Sequence, residues 1–376
     1  MSRDAVRIGP PVRTAGAVTA EIRLPGRDAV RVRFSGPDDA LADGADSLLA
    51  GALLPAMRLD APLRTAAPVS GALLDNTTRI QAVVAEWDAG LHPIEVRAPR
   101  RAPAPSRSTG EAAFFSGGID SFHTALRHAD RLSGLIFLHG FDIPLQERAR
   151  REGAAGTVRL AAAELGLPLV EVATDLRPFA RPYVTWQRYH GAVLASVALL
   201  LTPRFGVVHV PGSLSYDTWF PHGSHPLLDP FWSTEQVELR YDGFDANRWE
   251  KTRAVAGSEV ALRRLRVCSR DERGDRNCGR CEKCLRTMVS LRLLGALDRS
   301  DRFPGTLDLE LVGRVASLGG GTRAFWEQNL AAAEQSGDAT LAWTLRAALR
   351  RQRPATVPTV GSSRPPVARV RQLPRR

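Results

Sequence analysis

The segment Phe114-Phe115-Ser116-Gly117-Gly118-Ile119-Asp120-Ser121 joins an apolar run at 112–115 to a stretch in which Phe122, Ala125, Leu126 and Ala129 recur at helical spacing. A strand, a glycine turn and a helix in that order make an anion site largely from backbone. Two adjacent glycines let the chain turn tightly and bring N–H groups up to a ligand. The following helix adds the positive end of its dipole at the same point. Ser116 and Ser121 contribute hydroxyl donors, and Asp120 is either a magnesium ligand or a cap of the helix. The bland alternative is a turn that uses Gly-Gly for geometry alone. The terminal Lys-Ser/Thr of the Walker loop is missing, which excludes the common NTPase loop.

Outward from this turn, apolar runs at 135–139, 169–173 and 207–210 alternate with helix-length segments at 149–165 and 189–201. Continuous apolar runs spaced by helices are the mark of strands buried on both faces of a parallel sheet. The expected fold is therefore α/β, with a doubly wound parallel sheet over 110–265. Ahead of it, 18–24 and 30–34 alternate apolar and polar residues around Pro25-Gly26, a hairpin signal. Helices at 46–57 and 73–87 and a short strand at 93–96 complete a small N-terminal α/β domain, 1–100, followed by a linker, 101–109. A cysteine knuckle and its helix take 266–297, and a helical C-terminal region broken by glycines at 319–321 takes 298–349. The Arg/Pro-rich tail, 350–376, is expected to be disordered.

The net charge of +11 over 376 residues invites a nucleic-acid reading. However, eight arginines and no Asp, Glu or Lys lie in 350–376, which leaves +3 for the rest. The basicity belongs to the tail, read either as a solubilising extension or as a contact for an acidic macromolecular partner. No apolar run follows the first charge at the N-terminus, so no signal peptide is expected. The longest largely apolar stretch, 192–201, is well short of the roughly 20 residues that span a membrane. A cytoplasmic protein without membrane contact is expected. Only two lysines occur, Lys251 and Lys283, so each is worth locating.

All four cysteines, Cys268, Cys278, Cys281 and Cys284, fall in one window, with Gly279 allowing a tight turn. In a cytoplasmic chain such a cluster holds a metal far more often than it forms disulfides. Four thiolates close a tetrahedral Zn2+ site with no open position for chemistry, and an iron–sulfur cluster takes the same four ligands.

Ser116-Gly117-Gly118-Ile119-Asp120-Ser121 resembles, at each fixed position, the Ser-Gly-Gly-x-Asp-Ser signature of the PP-loop ATP pyrophosphatases. That resemblance implies an adenine nucleotide α hydrolase-like (HUP) fold, in which Ser116, Gly117, Gly118, Asp120 and Ser121 bind Mg-ATP. A substrate oxygen then attacks the α-phosphorus and pyrophosphate leaves. Pro211-Gly212-Ser213-Leu214-Ser215-Tyr216-Asp217 is similar to the Gly-Thr…Asp segment of relatives such as GMP synthetase. It implies nucleotide contacts from Gly212 and Ser213 and a metal-bridging carboxylate at Asp217, a solvated loop Asp being the alternative. Trp249-Glu250-Lys251-Thr252-Arg253 resembles the family's Lys-x-Glu-type segment with Lys and Glu reordered. It implies that Lys251 reaches the β- and γ-phosphates, against the alternative of a surface lysine. Asp120, Lys251 and Asp217 form the implied catalytic set.

Cys268…Cys278-Gly279-Arg280-Cys281-Glu282-Lys283-Cys284-Leu285-Arg286 resembles the zinc knuckle of the 7-cyano-7-deazaguanine synthases of queuosine biosynthesis, with the arginine one place early. The resemblance covers 110–297 and implies a ligase that adenylates a carboxylate or carbonyl oxygen. Ammonia or an amine then displaces AMP to give an amide, which a second ATP can carry to a nitrile. The implied cofactors are ATP, Mg2+ and Zn2+. The expected partners are a small carboxylate, the nitrogen donor and a second copy of the chain. The same chemistry on a tRNA or a protein, and a non-catalytic nucleotide-binding scaffold, are the alternatives. Two features fall outside the resemblance. The stretch 222–233, with His222, His225, Asp229 and Trp232, reads as a substrate pocket or a packed cover, and Asp142 as a nucleotide contact or a strand end.

Overall fold

The computed structural model describes residues 4–102, 107–268, 270–304, 306–315 and 321–351. The tail beyond 351, part of the 101–109 linker and two of the three glycines at 319–321 lie outside the described residues.

The N-terminal third supplies β1 (Val6–Ile8), β2 (Val12–Thr14), β3 (Ala17–Arg23), β4 (Val30–Ser35), α1 (Ala45–Arg58), β5 (Leu63–Thr65), α2 (Gly71–Trp87) and β6 (Val96–Arg97). Next come β7 (Glu111–Phe114), α3 (Ile119–Arg127), β8 (Gly134–His139), α4 (Arg148–Glu164), β9 (Leu169–Thr174), α5 (Leu176–Ala180), α6 (Trp186–Leu200) and β10 (Val207–Pro211). The chain continues through β11 (Glu238–Asp242), α7 (Arg248–Ala256), α8 (Glu259–Arg264) and α9 (Glu282–Leu293). It closes with three helices, α10 (Leu309–Gly313), α11 (Gly321–Ser336) and α12 (Ala339–Arg351), so the C-terminal region is helical as expected.

One sheet of eleven strands runs through the molecule in the order β11-β10-β7-β8-β9-β4-β3-β1-β5-β6, with β2 on β3. From β11 to β9 all neighbours are parallel. The chain leaves β7 for β8 on one side and later crosses to β10 on the other. The C-terminal end of β7 is therefore a topological switch point, the crevice in which open α/β sheets bind ligands. Within 110–265 the sheet is parallel as expected, and beyond β9 it is not. Phe34 and Ser35 of β4 pair antiparallel with Thr174 and Ala173, which makes the sheet mixed, though largely parallel. The strands of the N-terminal hundred residues are thus continuous with the sheet of 110–265.

Side chains leave β7 alternately for two cores. Ala112 and Phe114 join the core that holds α1 and α6, while Ala113 and Phe115 join the one under α3, α4, α7 and the C-terminal helices. Helix α1 is buried all round, every residue from Ala45 to Met57, because it lies between the sheet and α6. Gly51 permits that approach: a Cβ there stands 2.8 Å from Leu176 Cδ2, and the Gly51 carbonyl accepts the Tyr189 hydroxyl at 2.7 Å. Buried Asp46 has the partners a buried carboxylate needs, accepting from Ser70 N at 2.8 Å and pairing with Arg101 at 2.9 Å. Among the described residues, no helix is long and apolar enough to cross a membrane.

Replacing the fully buried Leu53 of α1 by Ala is expected to cost about 2–5 kcal/mol, read as a lowered urea midpoint. A loss below about 1 kcal/mol contradicts the two-sided packing of α1.

Candidate functional site

The turn after β7 is held from both sides. Phe115 N donates to Ile136 O at 2.8 Å, and Arg266 N donates to Gly117 O at 2.7 Å. Gly117 takes φ +76°, the left-handed region that favours glycine. Gly118 is the N-cap of α3, which has no side-chain cap, so Asp120 is not capping the helix. Ser121 Oγ donates to Gly118 O at 3.0 Å and lies 3.4 Å from Ser116 Oγ, which places both hydroxyls on one side of the turn.

Asp120 points at α7. Its Oδ2 accepts from Arg248 Nη2 at 2.8 Å, and its Oδ1 lies 3.9 Å from Lys251 Nζ. Lys251 is not a surface residue: it is 1 % exposed, and Nζ donates to Gly212 O at 2.7 Å. Burial pulls its pKa down to about 8, although Asp120 pulls the other way. Lys251 lines neither of the two chambers at the turn. The crevice is lined by Arg248 and Thr252, its neighbours on the same helix face. Helix α7 starts at a capping box, with Asn247 Oδ1 accepting from Glu250 N at 3.0 Å and Glu250 Oε2 from Asn247 N at 2.7 Å. That box sets Arg248 on the first turn.

Two chambers open at the turn, and Ser116, Asp120, Asp142, Ile143 and Arg266 line both. The first, about 160 Å3, is walled by the apolar ends of β7 and β8, from Phe114 and Ile136 to Phe141. The second, about 380 Å3, is cationic: Arg150, Arg177, Arg248, Arg266, Lys283 and Arg286 face Asp120 and Asp142. Three of its groups contain a buried polar atom without a hydrogen-bond partner, namely Asp120 Oδ1, Arg248 Nε and Arg286 Nη1. Both arginines stack on Phe325, at 4.9 and 4.6 Å from its centroid. Burial lowers the Arg286 pKa to about 10.

The four cysteines converge as their clustering predicted. Sγ separations are 3.8 Å for Cys268–Cys281, 3.9 Å for Cys278–Cys284 and 3.4 Å for Cys281–Cys284, and all four sulfurs lie within 4.8 Å of one another. Ligands about 2.3 Å from a tetrahedral ion stand about 3.8 Å apart, so the cluster has the size of a single-metal site. Asn277 clamps its approach strand, accepting from Val267 N and Cys268 N at 2.8 and 3.0 Å. Cys281 is the N-cap of α9, and the first turns of that helix carry Lys283, Arg286 and Thr287 into the cationic wall.

Other expected residues lie elsewhere. Gly212 is structural: a Cβ there stands 2.0 Å from Tyr241 Cζ. Ser213 lines neither chamber. Asp217 is exposed, accepts from Ser215 Oγ at 2.8 Å, and has Asn247 and Gln328 amides at 3.4 Å. It lines neither chamber. His222, His225, Asp229 and Trp232 line neither chamber, and their stretch packs as a cover, with buried Trp232 in the first core. A second group, His128, His209 and Asp242, is close enough to ligate a metal. Its two imidazoles stack at 4.2 Å with planes 23° apart, so no point lies near both ring planes, where their lone pairs point. Asp242 instead accepts from Thr124 Oγ1 at 2.6 Å and His128 Nε2 at 2.8 Å, which pins β11 to α3.

Arg248 and Arg266 were not singled out from sequence, where arginine is too common to stand out, and Arg286 entered only as the arginine of the cysteine motif. The chain matches no family model, and no curated protein or solved structure is similar enough to count as a match.

Asp229, 2 % exposed, accepts from Ser224 Oγ at 2.6 Å and His225 N at 3.1 Å, and burial pushes its pKa up to about 7. A carboxyl raised in the folded state stabilises fully below its unfolded pKa near 4, and that stability is lost as pH rises through about 7. Relative to Asp229→Asn, the natural chain should lose on the order of 4 kcal/mol between pH 4 and 8, measured by denaturant titration. Parallel pH profiles count against this account.

Proposed function

We propose that the chain is a PP-loop ATP pyrophosphatase with the adenine nucleotide α hydrolase-like fold, akin to the 7-cyano-7-deazaguanine synthases. It adenylates a carboxylate or carbonyl oxygen, and ammonia or an amine then forms the C–N bond. The observation that carries this reading is the trio of unpartnered polar atoms, one carboxylate oxygen and two guanidinium nitrogens, in residues around one glycine turn. Buried polar atoms left unpaired cost free energy, and a ligand with both anionic oxygens and a cation satisfies all three.

Each part of the crevice suits one part of ATP. The apolar chamber suits the adenine, and the N-terminal end of α3 with Ser116 and Ser121 suits the phosphates. Arg248 and Arg286 place fixed charge where a leaving pyrophosphate becomes more negative. Asp120 Oδ1, which has no hydrogen bond, would take Mg2+, which when bound neutralises phosphate charge. Lys251 holds Asp120 and the Gly212 carbonyl in place from below. The four-cysteine cluster suits structural Zn2+, whose binding ties α9 and the cationic wall to Cys268. A passive scaffold has no use for three polar atoms left without hydrogen bonds around one crevice.

Incubation with Mg-ATP, a carboxylate substrate and an ammonium salt should release AMP and pyrophosphate, resolved by nucleotide chromatography. ADP and phosphate refute the proposal. Arg248→Ala and Arg286→Ala should each lower kcat/KM by about 10²- to 10³-fold and weaken Mg-ATP binding. Elemental analysis should find one zinc per chain, lost together with solubility in Cys281→Ser. Iron with acid-labile sulfide in its place overturns the zinc assignment.

A further inference from the structure

We propose that the outer face of the N-terminal strands docks the phosphodiester backbone of a nucleic acid. Residues directly opposed on neighbouring strands share a face of the sheet. The register sets Arg7 of β1 against Arg23 of β3 on one side and against Arg64 of β5 on the other, and sets Arg64 against Arg97 of β6. Four arginines on four consecutive strands therefore form one row across the sheet. Their neighbours Val6, Ile8, Ile22 and Leu63 point the other way, into the core with α1, which leaves Arg7, Arg23 and Arg97 exposed and Arg64 half-buried. Arg31 and Arg33 of β4 lie exposed on the same outer face, opposite Glu21 and Thr19.

The row is not neutralised. Glu21 lies 3.6 Å from Arg31, and Glu95 pairs with Arg97 at 2.6 Å. Among the described residues Arg7, Arg23 and Arg64 have no ion-pair partner, and Arg64 Nε is buried without a hydrogen-bond partner. Like charges directly opposite on adjacent strands repel, so an ordinary solvated face mixes signs. A row of one sign is favourable once an anion lies along it. Three strand spacings of about 4.8 Å make the row about 14 Å long. Each strand of a duplex carries a phosphate every 3.4 Å or so of axis, so about four phosphates lie along four arginines. The planar guanidinium fork fits phosphate oxygens. The outward positions of these strands carry no aromatic side chain for stacking bases, so the contact is to backbone and sequence-independent. The face lines neither chamber, and its occupancy is independent of the nucleotide reading.

The test is fluorescence anisotropy of the full chain with a labelled 20-base-pair RNA duplex, without ATP, over a range of salt. Arg7→Gln/Arg23→Gln/Arg97→Gln should weaken binding at least tenfold and flatten the slope of log K against log salt by roughly one for each lost phosphate contact. The matching Lys triple, which keeps charge and fold, should retain the slope. Unchanged affinity and slope in the Gln triple place binding on the basic tail and overturn the proposal. So does poly-glutamate competing as well as RNA at equal charge, which marks an acidic protein partner. Absence of binding by the natural chain also overturns it.

Discussion

Asp120 is shared between two cations of one helix, Arg248 at 2.8 Å and Lys251 at 3.9 Å. That arrangement joins the three segments that meet at the switch point: the turn after β7, the exit of β10 at Gly212, and α7. Its energetics are not those of a simple attraction. Lys251 loses hydration on burial, and its pKa falls to about 8 despite Asp120, so desolvation wins by roughly 3 kcal/mol. The ammonium is kept in place by its 2.7 Å bond to the Gly212 carbonyl. Removing Asp120 leaves the buried Lys251 ammonium to that same desolvation without its carboxylate. The turn is therefore stiff from below, while Asp120 Oδ1 and Arg248 Nε remain unpaired beside the crevice.

The cationic wall depends on a second constraint. Cys281 and Cys284 stand at the start of α9, and Arg286 lies half a turn further along the same helix. Arg286 is half-buried, stacked on Phe325 and paired with Glu282 at 3.2 Å, while Glu282 also accepts Trp326 Nε1–H at 2.8 Å. Helix α11 thus braces the wall from behind through Phe325 and Trp326. The cysteine cluster at the first turn of α9 marks the origin from which Arg286 and Lys283 project. The C-terminal helices and the knuckle act on the crevice through this one helix.

Legibility in the sequence followed the range of the interactions. The turn after β7 and its flanking elements could be read because the signal is local, glycines after an apolar run and before a helical period. The cysteine cluster could be read because four ligands crowd into one window. The β1, β2 and β5 strands could not, since three residues show no period. The β11 strand, Glu-Leu-Arg-Tyr-Asp, is amphipathic only once its neighbour β10 is known. Lys251 was singled out for its rarity, yet its depth is a tertiary fact, set by the approach of Gly212 and Asp120. Conversely Arg248, three residues away, looked like any other arginine until α7 aimed it at the turn. Asp217 matched a short motif but lies on an exposed loop, where nothing in the fold directs it at the crevice.

The junction of β4 with β9 explains why the N-terminal strands are more than an attachment. Asp175, directly after β9, accepts from Arg33 N of β4 at 2.8 Å. Two residues on, Arg177 donates to the carbonyls of Phe141 and Asp142 and stacks on Trp186 at 4.5 Å, where it lines the cationic chamber. A segment this short has few torsions, so the position of β9 between β8 and β4 largely sets where Arg177 stands. Without β4, β9 is an unpaired edge strand with exposed N–H and C=O groups, and the backbone beneath Arg177 loses one of its two supports. The outward side of β4 carries Arg31 and Arg33. One strand thus stands between the arginine face and the β9–α5 segment that carries Arg177.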